Sequence, residues 1–133
     1  MTVTICFLLF DWGLFIMVNV LVVDDDKDMC ELISYVLKNE GCHVNKAFNG
    51  EVALKKIKNQ PYDVMILDYV LPGQSGLTIL EETRKTKPSI KTIMISGFAN
   101  DATKDRANEL GAYDFLDKPL DIEKLLKDVQ KNG

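Results

Sequence analysis

From Val18 onward, short runs of β-branched and other apolar residues alternate five times with longer stretches whose apolar residues recur every third or fourth position. A short apolar run bounded by polar residues fits a strand buried on both faces, and spacing of three and four fits a helix with one buried face. The alternation predicts strands at Asn19–Val23, His43–Ala47, Val64–Leu67, Thr92–Ile95 and Tyr113–Leu116, with helices filling the gaps. Repeated βα units of this kind build an α/β fold around a parallel sheet. The first helix is predicted over Lys27–Asn39, capped by Asp26, with Met29, Leu32, Ile33, Val36 and Leu37 on one face and Gly41 as a left-handed stop. The last opens at Asp121 as N-cap and presents Ile122, Leu125, Leu126 and Val129. The fourth, about Asp101–Leu110, offers mainly Ala102, Ala107 and Leu110 to a core and is expected to be held less firmly. Pro61 and Pro88 each stand just ahead of a strand.

The first sixteen residues, MTVTICFLLFDWGLFI, are largely apolar and do not alternate. No Lys or Arg precedes Lys27, which argues against a secretory signal. Asp11 and Asn19 break the stretch below the roughly 20 apolar residues of a membrane span. We therefore expect an apolar extension over 1–16 ahead of one domain over 17–133, the extension packing on its own domain or on a neighbouring copy.

Composition narrows the class. The 133 residues, 47% apolar and 27% charged, match one soluble globular domain. Sixteen Lys and Arg against twenty Asp and Glu leave a net charge of -4, which gives no basic surface for direct nucleic-acid binding. Cys6, Cys30 and Cys42 show no CxxC spacing and are read as reduced thiols of a cytoplasmic protein, with neither disulfide nor zinc. His43 stands without a second ligand at metal spacing and is read as a surface or strand residue.

The candidate chemistry lies at the strand ends, since parallel α/β sheets bind ligands beyond their carboxyl edges. The run NVLVV leads into Asp24, Asp25 and Asp26; VMIL ends at Asp68; TIMI ends at Ser96; and the fifth strand is followed by Lys118. Asp24, Asp25 and Asp68 in one pocket would repel one another, and a hard cation with oxygen ligands relieves that repulsion, magnesium fitting best. Lys118 supplies a second positive charge, Ser96 a hydroxyl donor, and an ionised carboxylate is a nucleophile that needs no base. Each residue alone has a plainer reading as turn, cap or core. Their placement at successive strand ends is what points to a shared site.

The segments NVLVVDDD, VMILDYVLPG, TIMISGFAN and FLDKPL resemble the receiver domains of bacterial response regulators, and the resemblance covers nearly everything after Met17. It implies a flavodoxin-like, doubly wound fold with sheet order 2-1-3-4-5, two helices on one face and three on the other. It implies Asp68 as phosphoacceptor, Asp25 and Asp68 as direct magnesium ligands, the Val70 carbonyl as a third, and Asp24 holding metal-bound water. Ser96 and Lys118 would contact the phosphoryl group, and Phe115 would be the aromatic that swings inward with Ser96. The Lys118–Pro119 bond should be cis, and Gly73 and Gly76 match the turn and helix start after the acceptor. The implied partners are a sensor histidine kinase or histidine phosphotransfer protein and a downstream target or output domain. The face of the fourth helix, fifth strand and fifth helix would be the contact surface. Homodimerisation stays open.

Other classes fit less well. An aspartate-nucleophile phosphatase wants a second acid two residues after its nucleophile, where this chain has Val70. A nucleotide binder of the same fold would carry a glycine-rich loop after the first strand, where this chain has acids. A receiver-like interaction module without phosphorylation is the alternative that remains. We thus expect no enzyme acting on free substrates, but a phosphoacceptor that catalyses its own phosphoryl transfer and slow dephosphorylation. The slow loss follows from Val70 and Phe98, two residues beyond Asp68 and Ser96, neither of which can orient water.

Overall fold

The computed structural model describes residues 17–130; the apolar segment expected to pack on the domain, together with Cys6, lies outside the described residues. Five strands, β1 (Asn19–Val23), β2 (His43–Ala47), β3 (Val64–Asp68), β4 (Lys91–Ser96) and β5 (Asp114–Asp117), form one parallel sheet in the order β2-β1-β3-β4-β5. The helices between and after them are α1 (Lys27–Asn39), α2 (Gly50–Asn59), α3 (Gly76–Thr86), α4 (Asp101–Glu109) and α5 (Ile122–Gln130). This is the flavodoxin-like, doubly wound arrangement that the resemblance implies.

Strand alternation sorts the core into two layers. Val20, Val22, Val64, Ile66, Ile93 and Ile95 point to one face, where Cys30, Ile33 and Leu37 of α1 and Leu125 and Val129 of α5 cover them. Leu21, Val23, Met65, Leu67 and Met94 point to the other, under Ala53 and Ile57 of α2, Ile79 and Leu80 of α3 and Ala107 of α4. Two helices therefore sit on one face and three on the other. Strands buried on both faces need continuous apolar runs, which is why these are so visible in the sequence.

Caps and turns follow local chemistry. Asp26 caps α1 by accepting from the N–H groups of Asp28 and Met29, and Asp121 accepts from Lys124 N at the start of α5. Gly41 has φ of 91°, the left-handed stop predicted after α1. His43 is exposed at the start of β2, and Cys30 and Cys42 are both buried.

Several expectations need correction. In α1 the buried residues are Cys30, Ile33, Ser34 and Leu37, while Leu32 is 51% exposed. Ile33 and Leu37 are buried as predicted and Met29 packs against the same core, while the small Cys30 and Ser34, not Leu32, complete the buried face. In α4 Ala102 is exposed and only Ala107 is buried. The third, fourth and fifth strands each extend one residue further than predicted at their carboxyl ends, the fourth starts at Lys91, not Thr92, and the fifth at Asp114, not Tyr113. A two-residue antiparallel ladder, Val70–Leu71 with Gln74–Ser75, turns the chain between β3 and α3 and was not anticipated.

Candidate functional site

The carboxyl edge of the sheet gathers the acids. Asp24 follows β1 directly and is fully buried, with its N–H held by the carbonyl of Ala47 at 3.1 Å. Its Oδ1 accepts from Asp26 N at 2.9 Å, whereas its buried Oδ2 has no hydrogen-bond donor and faces Lys118 Nζ at 3.6 Å. Asp25, the next residue, is exposed. Asp68 ends β3 at 6% exposure; its Oδ1 accepts from Val70 N at 3.2 Å and its Oδ2 lies 3.3 Å from Lys118 Nζ. Carboxylate oxygens of Asp24, Asp25 and Asp68 all lie within 4.8 Å of one another.

The next two strands supply the remaining groups. Register pairs Asp68 with Ile95, so Ser96, the last residue of β4, lies one residue further along the neighbouring strand. Ser96 is 1% exposed and its Oγ accepts from Phe98 N at 3.1 Å, so its own hydroxyl hydrogen is not used in that bond. Lys118 N donates to the Ser96 carbonyl at 2.8 Å, which ties the lysine's backbone to the same corner. The Lys118–Pro119 bond is cis, as the resemblance implies.

Two glycines let the chain close around Asp68. A Cβ on Gly76 would come within 2.4 Å of the Asp68 carbonyl oxygen and 2.9 Å of Tyr69 Cα, so only glycine fits at this helix start. Gly73 has φ of 78°, a left-handed turn position.

Electrostatics follow from this crowding. Burial pushes the Asp24 carboxyl up to about 6, the nearby Asp68 charge adding to the effect and the Asp26 N–H opposing it. Burial works against the charge of Lys118, but Asp68 and Asp24 outweigh it and hold the ammonium above its ordinary range. The donor set is hard oxygen, and one buried carboxylate oxygen lacks any hydrogen-bond donor; both features fit a hard divalent cation.

The structure thus brings together Asp24, Asp25, Asp68 and Lys118, with Ser96 on the adjoining strand end. Val70 lies beside Asp68 and is 56% exposed, and Phe98 is 91% exposed. Phe115 is partly buried against the α2–α4 layer, three residues before Lys118. Sequence reasoning missed two neighbours. Cys30 Sγ donates to the Asp24 carbonyl at 3.2 Å, and its thiol is pushed up to about 11, mainly by burial. Lys104 of α4 pairs with Asp117 at 2.9 Å and lies 5.9 Å from the centre of the Phe115 ring. The phase of α1 would have exposed the first; the second depends on tertiary placement.

Comparisons with known proteins agree with this arrangement. The family described as response regulator receiver domain matches residues 20–130. An NtrX-like response regulator of Rickettsia bellii is 38% identical over 83% of this chain and 23% of its own length. The Francisella response regulator 1452 receiver domain superposes with a TM-score of 0.78 at 32% identity, covering 84% of this chain and 92% of that one. A response regulator from Burkholderia pseudomallei, solved with a phosphorylated aspartic acid, a calcium ion and citrate, gives 0.81 at 29% identity, covering 86% of this chain and 68% of that one. The chain spans between about a quarter and a half of the length of the first curated relatives it matches.

Proposed function

The chain belongs to the response regulator receiver domain family, and from that premise we propose that Asp68 accepts a phosphoryl group and that the domain works as a phosphorylation switch. The observation that carries this reading is the convergence of three carboxylates and one ammonium, with Lys118 Nζ 3.3 Å from Asp68 Oδ2. The Burkholderia relative with its phosphorylated aspartic acid supports it.

A carboxylate oxygen of Asp68 forms a bond to the phosphorus of a phosphohistidine donor as the phosphorus–nitrogen bond breaks, and the departing imidazole keeps the electron pair and takes up a proton. Asp68 needs no base because the attacking group is already an anion. Lys118 faces the negative charge gathering on the phosphoryl oxygens, and the Ser96 hydroxyl is placed to donate to one of them. Asp24, Asp25, Asp68 and the Val70 carbonyl would hold the cation, which we take to be magnesium. When bound, that cation supplies charge neutralisation between the carboxylates and the phosphoryl group. On this account the chain acts on no free substrate beyond its own phosphorylation and slow dephosphorylation.

Family membership further suggests a sensor histidine kinase or histidine phosphotransfer protein as donor, and a cytoplasmic location for this chain. Ser96 and Phe115 would pass the change to the α4–β5–α5 face, where a target or output domain reads it. Radiolabelled acetyl phosphate tests the chemistry. The expected product is one label per chain, discharged by hydroxylamine as an acyl phosphate and missing from Asp68→Asn; label that resists hydroxylamine would contradict an aspartyl phosphate.

A further inference from the structure

The backbone that carries the first two acids of the site is held from three directions. At Asp24 the N–H donates to the Ala47 carbonyl at 3.1 Å, Oδ1 accepts from Asp26 N at 2.9 Å, and the main-chain carbonyl accepts from Cys30 Sγ at 3.2 Å. Cys30 lies in the first turn of α1 and is completely buried, in the same core layer as Val22 and Ile33. A helical Cα–Cβ bond tilts toward the helix N-terminus, so the thiol reaches back to the loop that precedes its own helix. A thiol keeps its hydrogen at neutral pH and is a weak donor, but Asp24 is fully buried, and there a carbonyl without a donor is costly. That carbonyl belongs to the planar peptide unit that joins Asp24 to Asp25. Holding its oxygen limits rotation of the plane, and with it the directions in which the buried Asp24 and exposed Asp25 carboxylates leave the chain. Those two carboxylates are the ones that meet Asp68, with oxygens of all three within 4.8 Å of one another.

We propose that Cys30 is a positioning residue for the cation site, its thiol holding the Asp24 carbonyl so that Asp24 and Asp25 stay turned toward Asp68. The inference rests on the cation-binding reading given above and deepens it. A metal site gains affinity when its ligands are already aimed, and partners behind the ligands do that aiming. The plainer role for Cys30 is to fill space between α1 and the sheet, and the two roles rank substitutions differently. Serine keeps a hydrogen donor but is smaller than cysteine, valine keeps the bulk without a donor, and alanine has neither. A donor role sets serine apart from the other two, whereas a packing role sets valine apart.

The test is a magnesium titration of the full chain, followed by amide chemical shifts, for wild type, Cys30→Ser, Cys30→Val and Cys30→Ala. Urea unfolding of each in chelator gives the stability separately. The half-saturating magnesium concentration should rise about fivefold in Cys30→Val and Cys30→Ala, the size of one ordinary hydrogen bond, and stay within about twofold of wild type in Cys30→Ser. Affinities should follow this order whatever the order of stabilities. Affinity that follows bulk, with Cys30→Val like wild type and Cys30→Ser weakened, would overturn the proposal. So would affinity unchanged in every variant, or failure of both Cys30→Ser and Cys30→Val to fold, which would mark Cys30 as core packing. A wild type whose shifts do not respond to magnesium would instead overturn the cation-binding reading itself.

Discussion

Helices α1 and α4 meet the same sheet on unequal terms. The first buries Cys30, Ile33, Ser34 and Leu37 and stands behind the loop that presents Asp24 and Asp25. The second buries only Ala107, begins just beyond the Ser96–Phe98 turn, and reaches β5 through Lys104 at Asp117 and the Phe115 ring. Exposed ion pairs and cation–π contacts of this kind contribute about 1 kcal/mol or less each, against about 1.5–3 kcal/mol for one buried aliphatic side chain. The acid side of the pocket is therefore built on a firmly packed element, and the side that would respond to a phosphoryl group is built on one that moves at low cost.

Core truncation sharpens this contrast most. Leu37→Ala should destabilise the domain by about 2–5 kcal/mol in urea unfolding. Ala102→Gly, on the exposed side of α4, should cost about 1 kcal/mol or less. Equal losses would break the comparison.

Next in size is the acid cluster. Asp24 has its carboxyl raised from 3.8 to about 6, so the folded state holds an extra proton between those values. Stability tied to that proton is present below pH 3.8 and is lost as pH rises through about 6. In chelator-treated protein at pH 8, Asp24→Asn should therefore be more stable than wild type, by about 1–3 kcal/mol. Magnesium should stabilise wild type and have much less effect on the variant. A variant less stable than wild type in chelator would contradict the cost assigned to the buried charge.

The smallest expected effect concerns the residues that flank the pocket mouth. Val70→Asn and Phe98→Glu each place a group able to orient water beside Asp68, so each should shorten the phosphoryl lifetime a few-fold. Lifetimes unchanged in both, timed as phosphate release, would dismiss the idea that these apolar side chains protect the phosphorylated state.

Much of this was legible in the chain itself. Strands buried on both faces leave unbroken apolar runs, and a polar residue after such a run falls at the carboxyl edge, which is how Asp24, Asp68, Ser96 and Lys118 could be grouped. Strand order was not in the spacing and came only with the family resemblance. The face predicted for α1 holds for Met29, Ile33 and Leu37, but Leu32 is exposed, and Cys30 and Ser34, being small and weakly apolar, gave no signal that they are buried. Asp128 was hidden for the opposite reason: a charged residue in an amphipathic helix is ordinarily assigned to solvent, yet Asp128 is buried on α5.

The most direct test of the central claim is intact mass after incubation with acetyl phosphate, with and without magnesium, for wild type and Asp68→Asn. The account predicts a gain of one phosphoryl group only in wild type and only with magnesium. No gain in wild type with magnesium, or an equal gain in Asp68→Asn, would contradict it and favour a receiver fold that serves as an interaction module.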